Sequence, residues 1–136
     1  MREGFTTTGF AMRILLVDDE PLLLKSFARY LGSACGHDVL CAGGGGEALA
    51  QLKTEKPVDL IFCDLTMPDI DGVDVHRAIC EHHPELCSRF VFLTGGVADE
   101  ATENYVQNSG ALVLSKPVRQ AAFDKILADV RGTRYA

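Results

Sequence analysis

Acidic side chains end two of the most apolar runs in the sequence. In "RILLVDDEP" the apolar run stops at Asp18 and Asp19, and in "VDLIFCDLTMPDIDG" it stops at Asp64. Carboxylates that are crowded together repel one another, and the repulsion raises the pKa of at least one of them. A divalent cation relieves this repulsion, and oxygen ligands with room for water select Mg²⁺ or a similar hard ion such as Mn²⁺. If the fold brings the two runs together, these acids predict a magnesium site.

A threonine and a lysine in similar positions extend this chemistry to phosphate. Thr94 follows the apolar "FVFL", and Lys116 follows "LVLS". The charge of a phosphoryl group is spread over its peripheral oxygens, so Lys116 can bind one oxygen as a point charge and the Thr94 hydroxyl another. Asp64 is left as the nucleophile, which forms an aspartyl phosphate. Each residue alone is typical of a turn or a helix cap, and only their combination favours a functional site.

The elements that must position these residues alternate along the chain. We predict strands at Arg13–Val17, Asp38–Ala42, Leu60–Cys63, Arg89–Leu93 and Leu112–Leu114. We predict helices from Pro21 to Gly32, over Glu47–Lys53, from Gly72 to a point before Pro84, over Asp99–Ser109 and over Gln120–Arg131. This alternation, with nearly wholly apolar strands, is typical of a doubly wound α/β fold whose parallel sheet is covered on both faces. Ligands bind at the carboxyl ends of the strands in such sheets, where all the polar residues above fall.

Length and composition fit one globular domain. The 136 residues are 47% hydrophobic and 24% charged, which is ordinary for a folded protein. We expect an N-terminal extension or linker over residues 1–11, the domain over 12–131 and a C-terminal tail over 132–136. The net charge of −6, without a basic cluster, disfavours a direct nucleic-acid partner. No apolar run approaches the ~20 residues that span a bilayer, and the N-terminus lacks a signal-peptide core, so we expect a cytoplasmic protein without membrane insertion.

The cysteines offer a second, weaker hypothesis. Their number is five, which is odd, and no secretion signal is visible, so we predict reduced thiols. The stretch "CEHHPELC" offers Cys80, His82, His83 and Cys87 as zinc ligands, but this spacing matches no standard zinc site. We therefore interpret both cysteines as buried thiols and both histidines as loop residues.

A run of glycines offers a third motif. Gly43–Gly46 precede a predicted helix, as the phosphate-binding loops of some proteins do. No Gly-Lys-Ser/Thr follows, so we interpret the run as a flexible connection.

Four stretches resemble, in this order, the response-regulator receiver domain of two-component phosphorelays. They are "LLVDDEP", "DLIFCDLTMPDIDG", "VFLTGG" and "LSKPV". The resemblance covers about Met12 to Arg131 and implies a flavodoxin-like sheet of five parallel strands in the order 2-1-3-4-5.

The resemblance also implies a role for each site residue. Asp64 is implied as the phospho-acceptor, Asp19 as a direct Mg²⁺ ligand and Asp18 as a ligand acting largely through water. The backbone carbonyl of Thr66 is implied as a further metal ligand. Thr94 resembles the switch hydroxyl of the family, and Lys116 resembles its phosphate-binding lysine.

The implied function is phosphorylation-controlled signalling. A phosphohistidine on a sensor histidine kinase or a histidine phosphotransfer protein donates its phosphoryl group to Asp64, which switches protein–protein interactions. Such a module is not an enzyme acting on other substrates, although it catalyses its own phosphorylation and slow dephosphorylation. "MRILLVDDEP" resembles the start of a free-standing regulator, whereas "VFLTGG" resembles receivers of hybrid histidine kinases, whose parent chain would be a kinase. Both forms stay open.

Two functions of other classes compete with this one. A phosphoaspartyl hydrolase of the haloacid-dehalogenase type also uses a strand-end Asp with Thr, Lys and Mg²⁺, but it wants a second Asp where this chain has Thr66. An interaction scaffold that works without phosphorylation needs none of these polar residues.

Overall fold

Five short strands alternate with five α-helices in the part of the chain that the structure describes. The computed structural model describes residues 11–54, 57–96 and 98–135. The strands are β1 (Arg13–Val17), β2 (Asp38–Ala42), β3 (Leu60–Asp64), β4 (Phe90–Thr94) and β5 (Leu112–Ser115). The α-helices are α1 (Pro21–Ala28), α2 (Gly45–Thr54), α3 (Gly72–His82), α4 (Glu100–Ser109) and α5 (Gln120–Tyr135). A π-helical segment, Arg29–Ala34, continues α1, and a 3-10 helix, Pro84–Arg89, leads into β4.

The strands form one parallel sheet in the order β2-β1-β3-β4-β5. This is the order that the resemblance implies, and the prediction of a doubly wound parallel sheet is confirmed. The central strand β3 is buried at every position, because helices cover it on both sides. A strand that is buried on both faces is apolar along most of its length. The acidic residue of β3 is Asp64, at the carboxyl end of the strand.

Two apolar cores lie on opposite faces of the sheet. One contains Leu15, Ile61 and Phe92 together with residues of α2 and α3. The other contains the strand residues that point the opposite way, together with residues of α1 and α5. Its centre is Phe123 of α5, whose ring contacts Phe62 of β3 edge-on with a centroid distance of 5.0 Å. Because successive side chains of a strand point to opposite faces of the sheet, the strands contribute residues to both cores.

Element boundaries differ from the predictions at several ends. Strand β4 begins at Phe90 and not at Arg89, α4 begins at Glu100 and not at Asp99, and α2 ends at Thr54 and not at Lys53. Helix α1 continues as a π-helical segment to Ala34 and does not end at Gly32. Helix α5 runs to Tyr135, beyond the predicted end at Arg131. The strands β3, β4 and β5 each reach one residue further than predicted, since sheet pairing continues through Asp64, Thr94 and Ser115. The division into extension, domain and tail stays a prediction, and residues 1–10 lie outside the described residues.

The interpretation of Gly43–Gly46 as a flexible connection is wrong for half of the run. Helix α2 begins at Gly45, not at Glu47. A methyl group on Gly45 would lie only 2.7 Å from Ile70 and 2.8 Å from Val75. Glycine is therefore required because α2 packs closely against the start of α3, and the first turn of α2 is part of the packed structure.

Candidate functional site

Three carboxylates meet at the carboxyl edge of the sheet. Asp18 follows β1 directly, and its backbone amide still bonds the carbonyl of Ala42 in β2. Asp64 is the last residue of β3. One carboxylate oxygen from each of Asp18, Asp19 and Asp64 lies within 4.8 Å of the others. Asp18 and Asp64 are buried, with 1% and 6% of their surface exposed, whereas Asp19 is exposed. The fold therefore brings together the ends of the two runs as predicted.

The Lys116 ammonium lies among these acids. Its Nζ is 2.9 Å from Asp18 Oδ2, 3.3 Å from Asp64 Oδ2 and 3.5 Å from Glu20 Oε1. The lysine side chain is only 13% exposed, so its ammonium group is largely shielded from water. It forms ion pairs with all three of these acids. Glu20 was not assigned to the site from the sequence, although its position directly after two acids was a signal that could have found it.

The backbone pairing of β4 with β5 positions Lys116. Thr94 pairs with Ser115 in the parallel register, and the Lys116 amide donates to the Thr94 carbonyl at 2.7 Å. The aliphatic stem of Lys116 passes Gly95, where an added methyl group would lie 3.5 Å from its Cδ. The peptide bond between Lys116 and Pro117 is cis. The position of the lysine is thus set by β5 and by the loop after β4.

The charges of the site perturb one another. Burial raises the pKa of Asp64, the neighbouring Lys116 lowers it and the charge of Asp18 raises it, and the net shift is upward. Burial alone would lower the pKa of Lys116, but its contact with Asp18 and the charges of Asp64 and Asp18 raise the pKa above its usual value. A single lysine therefore does not neutralise the cluster, and a further cation would stabilise the ionised form of Asp64.

The loop after β3 is held in place by the start of α3. The Thr66 amide donates to Asp64 Oδ1 at 3.4 Å, and Met67 is buried. The Gly72 amide donates to the Leu65 carbonyl at 2.9 Å. Asp71 caps α3 by accepting a hydrogen bond from the Asp74 amide at 3.0 Å. The turn and the acids after Asp64 thus serve to fix the loop that carries the carboxylate.

The two predicted threonines of the site lie at the ends of neighbouring strands, Thr66 two residues after β3 and Thr94 as the last residue of β4. Thr94 ends β4 beside the cluster, and its hydroxyl donates to the Gly96 carbonyl at 3.3 Å. Thr66 is exposed. Asp18, Asp19, Asp64 and Lys116 are therefore drawn together, whereas the Thr94 hydroxyl is engaged with its own loop.

The prediction of reduced thiols is wrong for Cys80 and Cys87, which form a disulfide. Cys80 lies in the last turns of α3, and the 3-10 helix turns the chain back so that the two Cα atoms are 4.7 Å apart. Both cysteines are half-buried, not buried as predicted. His82 is the last residue of α3 and not a loop residue.

The other three cysteines, Cys35, Cys41 and Cys63, are free thiols as predicted. Among them, Cys63 is buried in β3, and this burial raises its pKa well above the usual value.

Comparison with known proteins shows the family of the chain. The sequence profile of the response regulator receiver domain matches residues 14–128, and the chain belongs to this family. It is 38% identical over 110 residues to the positive alginate biosynthesis regulatory protein of Pseudomonas aeruginosa, a match that covers 79% of this chain and 42% of that protein. It is 26% identical over 117 residues to the sensor protein TorS of Escherichia coli, which covers 86% of this chain and 12% of that protein.

Solved structures share the fold. The CheY-like receiver domain protein of Methanospirillum hungatei aligns with a TM-score of 0.79 at 26% identity, covering 93% of this chain and 98% of that chain. The chain spans less than half of the length of the two curated relatives. The family match and the shared fold show that this chain contains a receiver domain, the signalling module of two-component systems. None of the helices in the described part of the chain combines the length and the apolar character needed to cross a membrane.

Proposed function

We propose that this domain accepts a phosphoryl group on Asp64 in a Mg²⁺-dependent reaction and so controls interactions with other proteins. The observation that carries the proposal is the Lys116 ammonium, which lies 3.3 Å from Asp64 Oδ2 and 2.9 Å from Asp18 Oδ2 at the carboxyl edge of the sheet. Phosphoryl transfer needs a nucleophilic carboxylate, a cation that can bind phosphoryl oxygens and further acids that can bind a metal.

The donor set fits a hard divalent cation. All the side-chain ligands are carboxylate oxygens, which suit Mg²⁺ or Mn²⁺. Asp18 Oδ2 is buried, and among the described residues it meets the Lys116 ammonium without a well-directed hydrogen bond. Asp19 and Asp64 would hold the ion together with the Thr66 carbonyl, and Asp18 would act largely through water. When bound, the ion supplies positive charge beside the incoming phosphoryl group.

The protein's own groups each have one task in the transfer. An Oδ of Asp64 forms the new bond to phosphorus while the bond between phosphorus and the donor histidine nitrogen breaks. Lys116 exchanges its contact with Asp64 for a phosphoryl oxygen. The Thr94 hydroxyl leaves the Gly96 carbonyl and donates to another phosphoryl oxygen. Water later attacks the phosphorus, the bond between phosphorus and the Asp64 oxygen breaks, and inorganic phosphate leaves, which restores the carboxylate.

Mass spectrometry with acetyl phosphate and Mg²⁺ tests the proposal directly. The wild-type chain is expected to gain one phosphate, and the gain is expected to vanish in Asp64→Asn and in excess chelator. Asp69→Asn is a matched control in the same loop, because Asp69 is exposed and its backbone φ of 67° also suits asparagine. Phosphate uptake by Asp64→Asn at the rate of Asp69→Asn would overturn the assignment. Rapid turnover without a stable adduct would instead indicate a hydrolase, and no reaction would indicate a scaffold.

The phosphodonor in the cell is, in this proposal, a sensor histidine kinase or a histidine phosphotransfer protein. One relative is named a regulatory protein and the other a sensor protein, so a free-standing regulator and a receiver within a hybrid kinase both fit. Transfer from radiolabelled histidine kinases to the purified domain distinguishes a cognate donor by its rate.

A further inference from the structure

A second cluster of metal-binding side chains lies away from the phospho-acceptor. It consists of His76, Cys80 and Cys87, and one ligand atom from each lies within 4.8 Å of the others. His76 and Cys80 are one helical turn apart on α3, and Cys87 lies in the 3-10 helix that leads into the amino end of β4. Asp64 lies at the opposite, carboxyl end of its strand. The geometry points to a site for a thiophilic cation such as Zn²⁺, formed by His76, Cys80 and Cys87 when the disulfide is reduced.

The separations between the histidine nitrogen and the two sulfurs suit a tetrahedral ion. With Zn–S bonds of about 2.3 Å and Zn–N bonds of about 2.05 Å, a tetrahedral site places S and N about 3.6 Å apart and the two S atoms about 3.8 Å apart. His76 Nε2 lies 3.5 Å from Cys80 Sγ and 3.9 Å from Cys87 Sγ. Only the two sulfurs must separate, from a bond of about 2 Å. Both cysteines are half-buried, Cys80 in α3 and Cys87 in the 3-10 helix.

The histidine is already held in place for this task. His76 is 3% exposed, and its ring packs against the rings of Phe90 and Phe92, with centroid distances of 4.9 Å and 5.4 Å. Nδ1 lies 2.7 Å from the hydroxyl of Tyr105 in α4, and Nε2 is the ring nitrogen nearer to Cys80 Sγ, at 3.5 Å against 3.8 Å for Nδ1. A partner of this kind on the second nitrogen is what orients most metal-binding histidines.

The surroundings of the histidine favour its uncharged form. Burial lowers the pKa of His76, and a hydrogen bond with the Cys87 backbone acts weakly in the opposite direction. A neutral imidazole is the form that binds metals. On metal binding the ring proton must reside on Nδ1, where the Tyr105 oxygen can accept it.

The reaction balances in two steps. A low-molecular-weight thiol first reduces the disulfide, two of its molecules giving one external disulfide while Cys80 and Cys87 become thiols. The cation then binds both sulfurs as thiolates, and two protons are released to solvent. Three protein ligands leave a fourth position for water, as in the open class of zinc sites. The disulfide and the metal-bound form exclude each other because they use the same sulfurs.

Cobalt binding to the full chain tests this site. The protein is reduced with a phosphine, freed of reductant without air and titrated with Co²⁺ in excess Mg²⁺, which occupies the acidic cluster. The expected result is one Co²⁺ per chain with a thiolate-to-cobalt charge-transfer band, which Zn²⁺ abolishes by displacing cobalt. The oxidised chain, in which Cys80 and Cys87 are joined, is expected to give no such band.

Single variants separate this cluster from the free thiols. Cys80→Ser is expected to lose the charge-transfer band, whereas Cys41→Ser, which changes a half-buried free thiol in β2, is expected to keep it. Tyr105→Phe is expected to weaken cobalt binding by about tenfold with an unchanged absorption maximum, because a positioning contact is lost and no ligand is. Far-UV circular dichroism checks that each variant is folded. If Cys80→Ser does not fold, the comparison of reduced and oxidised wild type decides.

Either of two results would overturn the inference. One is a reduced wild-type chain that shows no charge-transfer band. The other is a band that has the same strength in the reduced and oxidised chains. Both readouts are independent of phosphorylation at Asp64.

Discussion

Replacing Gly72 by alanine tests whether the packing of α3 sets the position of the phospho-acceptor. Gly72 is the first residue of α3 and is buried. A methyl group there would lie 2.6 Å from the backbone oxygen of Asp64 and 2.8 Å from the Cα of Leu65. Both contacts are to backbone atoms, which cannot rotate away as the end of a side chain can. The acceptor loop and the start of α3 must therefore move apart.

The size of the effect follows from two opposing terms. Inserting a methyl group into a closely packed site costs about 1–3 kcal/mol. Alanine is favoured over glycine within a helix by up to about 1 kcal/mol, and this gain is smaller at the first helical position. We expect Gly72→Ala to lower the free energy of unfolding by about 1–2 kcal/mol. A shift of the Asp64 backbone of about 0.5–1 Å should also slow phosphorylation, on the order of tenfold.

Urea denaturation and the rate of phosphate uptake from acetyl phosphate measure these two effects. Gly46→Ala is the matched control, since it changes a glycine in the first turn of α2 where a methyl group would meet Ile70 at an ordinary 3.9 Å. The control is expected to keep the wild-type rate and to be at least as stable as the wild type. If Gly72→Ala matches Gly46→Ala in both stability and rate, the close contact does not position Asp64 and the reasoning fails.

Three further predictions concern the charges and the opening of the site. Lys116→Ala should lower the free energy of unfolding by about 3 kcal/mol, because the carboxylate of Asp18 stays buried without its cation; Mg²⁺ should restore part of the loss in urea titrations. Burial raises the pKa of Asp64 in the folded state above its value in the unfolded chain. Without metal, the free energy of unfolding therefore falls as the pH rises and the carboxyl group ionises. Asp64→Asn should therefore be more stable than the wild type at pH 7 in chelator, by a margin that shrinks as the pH falls into the carboxyl range. A methyl group on Gly96 would meet no atom within 4 Å, so Gly96→Tyr should be folded and should lengthen the lifetime of the aspartyl phosphate by screening it from water, and an unchanged lifetime would contradict this.

The topology could be predicted because its signals are local and agree with one another. The strands β1 and β2 begin and end at the predicted residues, since each apolar run is bounded by polar residues or turns. The polar residues that end β1, β3 and β4, and Lys116 after β5, were predicted to meet, because parallel strands place their carboxyl ends at one edge. Asp18, Asp19, Asp64 and Lys116 lie together as this argument requires.

The remaining features depend on packing between distant elements. The disulfide was missed because no rule of spacing indicates that a 3-10 helix returns Cys87 to Cys80. His76 was missed for a related reason, since it lies one helical turn before Cys80 on α3, outside the stretch from Cys80 to Cys87 whose residue types suggested metal ligands. The requirement for Gly45 comes from Ile70 and Val75, which lie in another part of the chain. Local sequence patterns do not contain such contacts.

The charge balance at the sheet edge links the stability of the fold to its proposed activity. Asp18, Asp19, Glu20 and Asp64 supply four carboxylates, and within the described residues Lys116 forms ion pairs with three of them. Burial of Asp18 and Asp64 makes water a poor substitute for cations. A divalent ion reduces the surplus negative charge, and a phosphoryl group on Asp64 would return part of that charge while giving Lys116 a new partner. Each state would need a different position of the lysine, so in the proposed reaction the contacts of Lys116 change together with the hydrogen bond of the Thr94 hydroxyl.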